Sequence, residues 1–159
     1  MVWAVISREK KSQLHIVYEN TPGTKRGFNS TQYIDTLKKG LLPLYDGMRH
    51  FQQDGASIHT AKATEKFLLN HMVSILEWPP YSPDLNPIEH VWNLLKRRLF
   101  QLFPSLFDSN RNLADIEEFK ECMHKAWATI TQEEIRDLID SMPRRLAAVI
   151  EAKGWYTKY

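Results

Sequence analysis

Two carboxylates stand where structure alone does not obviously demand them. Asp54 ends the run from Met48 to Gln53 and is followed at once by Gly55-Ala56-Ser57. Glu89 falls in the first turn of an expected helix that opens behind a proline-rich loop. The 34 positions from Gly55 to Ile88 are enough for one helix, one strand and a loop between them. An acid at a strand end and an acid on a later helix can converge on one divalent cation. Magnesium prefers oxygen ligands, keeps several waters and is usually held by one or two carboxylates plus substrate phosphate. Two such ions about 4 Å apart activate an attacking oxygen and stabilise a leaving one during in-line displacement. The chemistry this pair suits is metal-assisted phosphoryl transfer, in which water or a DNA hydroxyl attacks and no side chain acts as nucleophile.

Each residue also has a simpler reading. Glu89 lies three positions after Asn86, where a capping box places glutamate for structural reasons. Asp54 before a glycine reads as a turn aspartate, and Asp84 as a turn or capping residue. His59 reads as a helix-start residue. Lys62, Lys66 and the run Lys96-Arg97-Arg98 read as solvated helix faces, and Trp3, Trp92 and Trp127 as core. His50, His71, His90 and His124 show no metal-ligand spacing with Cys122, so zinc is not expected.

The elements that must hold these residues follow from pattern. Met1–Ser7 and Leu14–Tyr18, rich in β-branched and aromatic residues, predict two antiparallel strands joined by the polar stretch from Arg8 to Ser12. Asn29 with Gln32 predicts a capped helix carrying Tyr33, Ile34 and Leu37 and ending at Gly40. Met48–Gln53 and Val73–Trp78 are further strand candidates, with a helix from about His59 to Asn70 between them. Pro79, Pro80, Pro83 and Pro87 predict a stiff, extended connection. Asn86 as N-cap and Pro87 at the first helical position then open a helix whose apolar stripe is Ile88, Val91, Trp92, Leu95 and Leu99. Glu89, Asn93 and Lys96 share another face, with Arg97 close by. After a break from Phe103 to Asn112, the pattern predicts helix over Leu113–Ile130, a capping box at Thr131 and Glu134 opening Ile135–Ile139, and a last helix from Pro143 to about Lys153 with Gly154 as its stop. The order is that of an α/β core with a helical C-terminal layer.

Bulk composition narrows the class. The 159 residues predict one domain, with a core over residues 1–100 and helices over 101–159. A hydrophobic fraction of 43% and a charged fraction of 25% are ordinary for a globular protein. Apolar runs are too short for a membrane-spanning helix, and Met1–Ser7 carries no signal-peptide pattern. A single cysteine, Cys122, excludes an intramolecular disulfide and fits a reducing compartment. The net charge of +2 is too small for global electrostatics to argue nucleic-acid binding, so local clusters must carry that case.

Taken together, Gln53-Asp54-Gly55-Ala56, His59-Thr60-Ala61, Trp78-Pro79 and the run from Tyr81 through Ser82-Pro83-Asp84-Leu85-Asn86-Pro87-Ile88-Glu89 to Trp92 resemble the mariner superfamily of DDE transposases. More narrowly they resemble the branch whose last two acids are separated by 34 residues and whose third acid is glutamate. Val2–Ser7 resembles that family's second core strand, Tyr33-Ile34 and Leu37 the helix after its third, and Ser141–Leu146 with Lys153-Gly154 its C-terminal ending. The resemblance implies a ribonuclease-H-like mixed sheet with flanking helices. It implies Asp54 as second and Glu89 as third catalytic acid, both binding Mg2+ or Mn2+, and cleavage and strand transfer at transposon ends in the nucleus. DNA, as transposon end and target, would be the partner. Lys96, Arg97, Arg98, His59 and Lys62 would then be phosphate contacts, which position DNA without specifying sequence.

The resemblance also implies a first aspartate on a first core strand upstream of Val2-Trp3. Asp35, on an expected helix, and Asp46, in a loop, do not take that place, and Gly55 and Ser57 stand where asparagine and proline are common. With the first core strand absent, its neighbours' backbone groups need other partners: a longer chain, a re-paired sheet or a second copy joined through exposed edges as a homodimer. Three functions compete: the catalytic segment of a transposase, a catalytically inactive transposon-derived module that binds DNA or protein, and a structural α/β module whose acids cap helices.

Overall fold

The computed structural model describes residues 1–17, 28–79, 82–107, 116–155 and 157. The described chain divides into two compact units: Met1–Val5 with Ser12–Tyr81, and Ile6–Lys11 with Ser82–Tyr159. The helix that carries Glu89, expected within the 1–100 core, therefore belongs with the C-terminal helices. No helix among the described residues is long and apolar enough to cross a membrane.

In the first unit, the two expected N-terminal strands pair antiparallel but are short: β1 is Val2–Trp3 and β2 His15–Ile16, with Val2 opposite Ile16 and Trp3 opposite His15. The regular register breaks at Val5, whose N–H donates to Ser12 Oγ at 3.0 Å while its carbonyl accepts the Ser12 N–H at 2.8 Å. Tyr18 lies outside the described residues. Helix α1, Ser30–Thr36, opens with the expected reciprocal box: Asn29 Oδ1 accepts from Gln32 N–H at 3.0 Å, and Gln32 Oε1 from Asn29 N–H at 2.9 Å.

Gly40 does not end this helix. The chain runs on through a π-helical turn, Leu37–Leu41, closed by the Leu42 N–H to Leu37 carbonyl bond at 3.1 Å. Glycine is required there by close approach, because a Cβ would lie 2.3 Å from Trp3 Cζ3 and 2.9 Å from His15 Nε2. The strand candidates Met48–Gln53 and Val73–Trp78 reduce to one parallel bridge between Phe51 and Ile75. It is made by Phe51 N–H to the Ser74 carbonyl at 2.7 Å and Leu76 N–H to the Phe51 carbonyl at 2.9 Å. Helix α2, Lys62–Asn70, begins three residues later than expected, after a turn at His59. Tyr33, Leu37, Leu41, Phe51, Phe67, Leu68 and Val73 form the buried core, with Trp3, Phe28 and Ile58 packed against it.

In the second unit, Pro83–Leu85 is a 3-10 turn rather than extended chain, since proline's fixed φ suits the first position of a helical turn. Helix α3, Pro87–Leu102, buries Val91, Leu94, Leu95 and Leu99, while Ile88 and Trp92 are half-buried. It packs against α4, Ile116–Thr129, and α5, Gln132–Asp140. The expected helix start at Leu113 lies outside the described residues. The Thr131–Glu134 capping box forms, and α6, Met142–Glu151, is followed by Gly154 at φ +80°, the left-handed position where glycine carries no Cβ penalty.

Candidate active site

Asp54 follows the Phe51 bridge by three residues and begins a tight turn. Its Oδ1 accepts the Ala56 N–H at 3.0 Å and lies 2.5 Å from Nδ1 of His59. The same Nδ1 is 3.2 Å from the Asp54 carbonyl. Both of those oxygens only accept, so Nδ1 carries the hydrogen and donates. Asp54 is open to solvent, its side chain 63% exposed, while that of His59 is 15% exposed.

The imidazole is held from behind. It packs on the Tyr33 ring at 4.4 Å between centroids. Tyr33 Oη donates to Gln53 Oε1 at 2.8 Å, and Gln53 Nε2 donates to the His59 carbonyl at 3.4 Å. Burial pushes the Tyr33 phenol well above its ordinary value, so it stays a neutral donor. Tyr33, Gln53 and His59 thus fix one oxygen of an acid whose side chain is otherwise largely exposed. This positioning set was not read from the sequence, where His59 was expected on phosphate. The only signal was a histidine five residues after an acid, with small residues between.

Glu89 is the third residue of α3 and is exposed. Its backbone N–H donates to the Asn86 carbonyl at 3.1 Å, and Asn86 Oδ1 accepts from Ile88 N–H at 3.4 Å. Asn93, Lys96 and Arg97 follow along α3 and are also exposed. Arg98 is not on this face: its guanidinium donates to Glu134 Oε1 of α5 at 2.6 Å, and only a third of the side chain is exposed. Lys62 is exposed at the first position of α2. Asp35 pairs with Lys39 at 2.6 Å, and Asp46 caps the Met48 N–H at 3.0 Å, so both serve local structure.

Asp54 belongs to the first unit and Glu89 to the second. Among the described residues, no three His, Cys, Asp or Glu side chains gather as a metal cluster. The donor chemistry nonetheless fits magnesium or manganese: Asp54 offers carboxylate oxygen on an exposed side chain, and the neighbouring imidazole presents a hydrogen, not a lone pair, at Nδ1. Neighbouring Glu89, Nε2 of His90 accepts from the Arg145 guanidinium. Burial first, and then the Arg145 charge, hold the His90 imidazole below its ordinary value.

A family model described as DDE superfamily endonuclease matches residues 2–114. The Tcb1 transposable-element transposase of Caenorhabditis briggsae is 43% identical over 109 residues, which cover 69% of this chain and 37% of that protein. The Tc3 transposase of Caenorhabditis elegans is 30% identical over 161 residues, covering 97% and 44%. The chain spans less than half the length of these relatives. Among solved structures, the Mos1 transposase catalytic domain with Raltegravir and Mg superposes with a TM-score of 0.74 at 22% identity, over 99% of this chain and 75% of that one. A Mos1 transposase paired-end complex with the left transposon end gives a TM-score of 0.70 at 21% identity, over 98% and 43%. The likeness carries the ribonuclease-H-like α/β fold expected from the sequence. The chain belongs to the DDE superfamily endonuclease family, and its fold is that of a transposase catalytic domain.

Proposed function

We propose that this chain is the catalytic part of a DDE transposase that cleaves DNA at transposon ends and joins it to target DNA in the nucleus. Asp54 and Glu89 are the two acids that would hold Mg2+ or Mn2+. The observation that carries the reading is the family match over residues 2–114, which takes in both acids and the whole run from Ser82 to Glu89. The Mos1 catalytic domain, of like fold, is described with Mg and with Mn, which supports divalent-metal chemistry here.

A divalent cation bound by these carboxylates supplies Lewis-acid activation of phosphodiester oxygens. The chain's own part is to hold the ligands and the nucleic acid. His59 orients Asp54 through Oδ1, and Asn86 and Pro87 fix the turn that presents Glu89. Lys96 and Arg97, exposed on the helix that carries Glu89, would hold backbone phosphate, and Lys62, exposed at the first position of α2, would do the same in its own unit.

Nicking of supercoiled plasmid in Mn2+ tests the assignment. Asp54→Ala and Glu89→Ala are each expected to abolish metal-dependent nicking; nicking that survives both changes overturns it. Salt-sensitive DNA binding with no nicking in the unaltered protein is the outcome expected of a catalytically inactive binding module.

A further inference from the structure

Of the C-terminal run Ser141–Arg145 only the contact of Arg145 with His90 has entered the site so far, yet Arg145 is 4% exposed. Its guanidinium joins Ser141, Asp84 and His90 in the second unit. Nε donates to Ser141 Oγ at 2.8 Å, one turn earlier. Nη1 donates to the carbonyl of Asp84 at 3.2 Å and to Nε2 of His90. Asp84 precedes the Asn86 cap by two residues, and His90 directly follows Glu89. One buried side chain of α6 therefore holds both flanks of the cap and first turn of α3.

We infer that Arg145 is a positioning residue for Glu89: from α6 it holds the segment Asp84–His90 in place and so sets where the Glu89 carboxylate is presented. The inference rests on the reading of Glu89 as a metal ligand. A planar guanidinium can hold Ser141, Asp84 and His90 together because its donors point in fixed, divergent directions; an ammonium at the same place offers a single nitrogen. The arrangement also gives the C-terminal helix a task that its distance in sequence from both acids conceals.

Two readouts on the whole chain test this. Hydrogen exchange is followed by mass spectrometry over Asp84–Val91 and, as internal reference, over α4. Mn2+ affinity is followed by electron paramagnetic resonance. Arg145→Gln and Arg145→Lys are each expected to speed exchange in Asp84–Val91 by about tenfold or more while α4 stays protected. They are also expected to weaken Mn2+ binding by about 10–100-fold, as loss of a group that orients a ligand does. Ser141→Ala, which removes one anchor and leaves those at Asp84 and His90, shifts both in the same direction by less, and serves if the Arg145 variants do not fold. Exchange that rises no more in Asp84–Val91 than in α4 overturns the inference. So does wild-type Mn2+ affinity in the Arg145 variants when Glu89→Gln weakens it. If Glu89→Gln itself leaves Mn2+ affinity unchanged, the metal role of Glu89 falls, and selective loosening of Asp84–Val91 then still supports the hold of Arg145 on that turn.

Discussion

Nδ1 of His59 lies 2.5 Å from Oδ1 of Asp54, on a ring that is itself packed against Tyr33. The histidine therefore engages one oxygen of the exposed acid. Under the proposed function it would orient a metal ligand, and groups that do so matter almost as much as the ligand.

Replacing His59 with phenylalanine separates orientation from packing. The ring stays against Tyr33, but the donor to Asp54 is gone. Mn2+ affinity, read by paramagnetic resonance, is expected to fall by about 10–100-fold, with little change in thermal midpoint. Unchanged affinity would show that the contact does not serve the metal.

The three consecutive basic residues of α3 are expected to behave differently. Lys96→Ala and Arg97→Ala remove exposed charge, so each should lower the slope of log K against log salt for duplex DNA by about 1. Arg98→Ala breaks the 2.6 Å pair with Glu134 and should lower the urea midpoint while leaving the salt slope as it was. Fluorescence anisotropy across a salt series reads the first effect and equilibrium unfolding the second.

Gly40→Ala places a methyl 2.3 Å from Trp3 Cζ3. Overpacking of this kind destabilises by about 1–3 kcal/mol, which a urea titration followed by tryptophan fluorescence would measure. Wild-type stability would mean that the π-helical turn shifts freely.

Much of this arrangement was legible because it is written locally. Both reciprocal capping boxes, the Asn86-Pro87 helix start and the Gly154 stop depend on residues within a few positions of one another, and each forms. The failures are non-local. Gly40 reads as a helix terminator until Trp3 and His15 of the distant β1–β2 pair are seen against it. The strand ending at Asp54 shrinks to one bridge because pairing needs a neighbour that periodicity cannot supply. Arg98 looks like part of a basic face until Glu134, 36 residues on, takes its guanidinium. At the candidate site both acids were legible as types at a spacing, whereas Tyr33, Gln53 and Arg145 fall in stretches that carry the family resemblance but show no sign of what they hold, because their partners are set by the fold.

Tyr33 predicts an alkaline limit. Its phenol is raised above the ordinary value of 10.0 by burial, so above that pH the unfolded chain releases a proton that the folded chain keeps. The stability linked to Tyr33 is complete below pH 10.0 and is lost as pH rises towards the folded value, at up to about 1.4 kcal/mol per pH unit. Tyr33→Phe should flatten the fall in urea midpoint just above pH 10.0; an equally steep fall would contradict this.

Anomalous scattering from Mn2+-soaked crystals addresses the central claim most directly. The account predicts a manganese peak about 2.0–2.3 Å from a carboxylate oxygen of Asp54 and of Glu89 alike. A peak on only one of them, or carboxylates too far apart to share an ion, would contradict it.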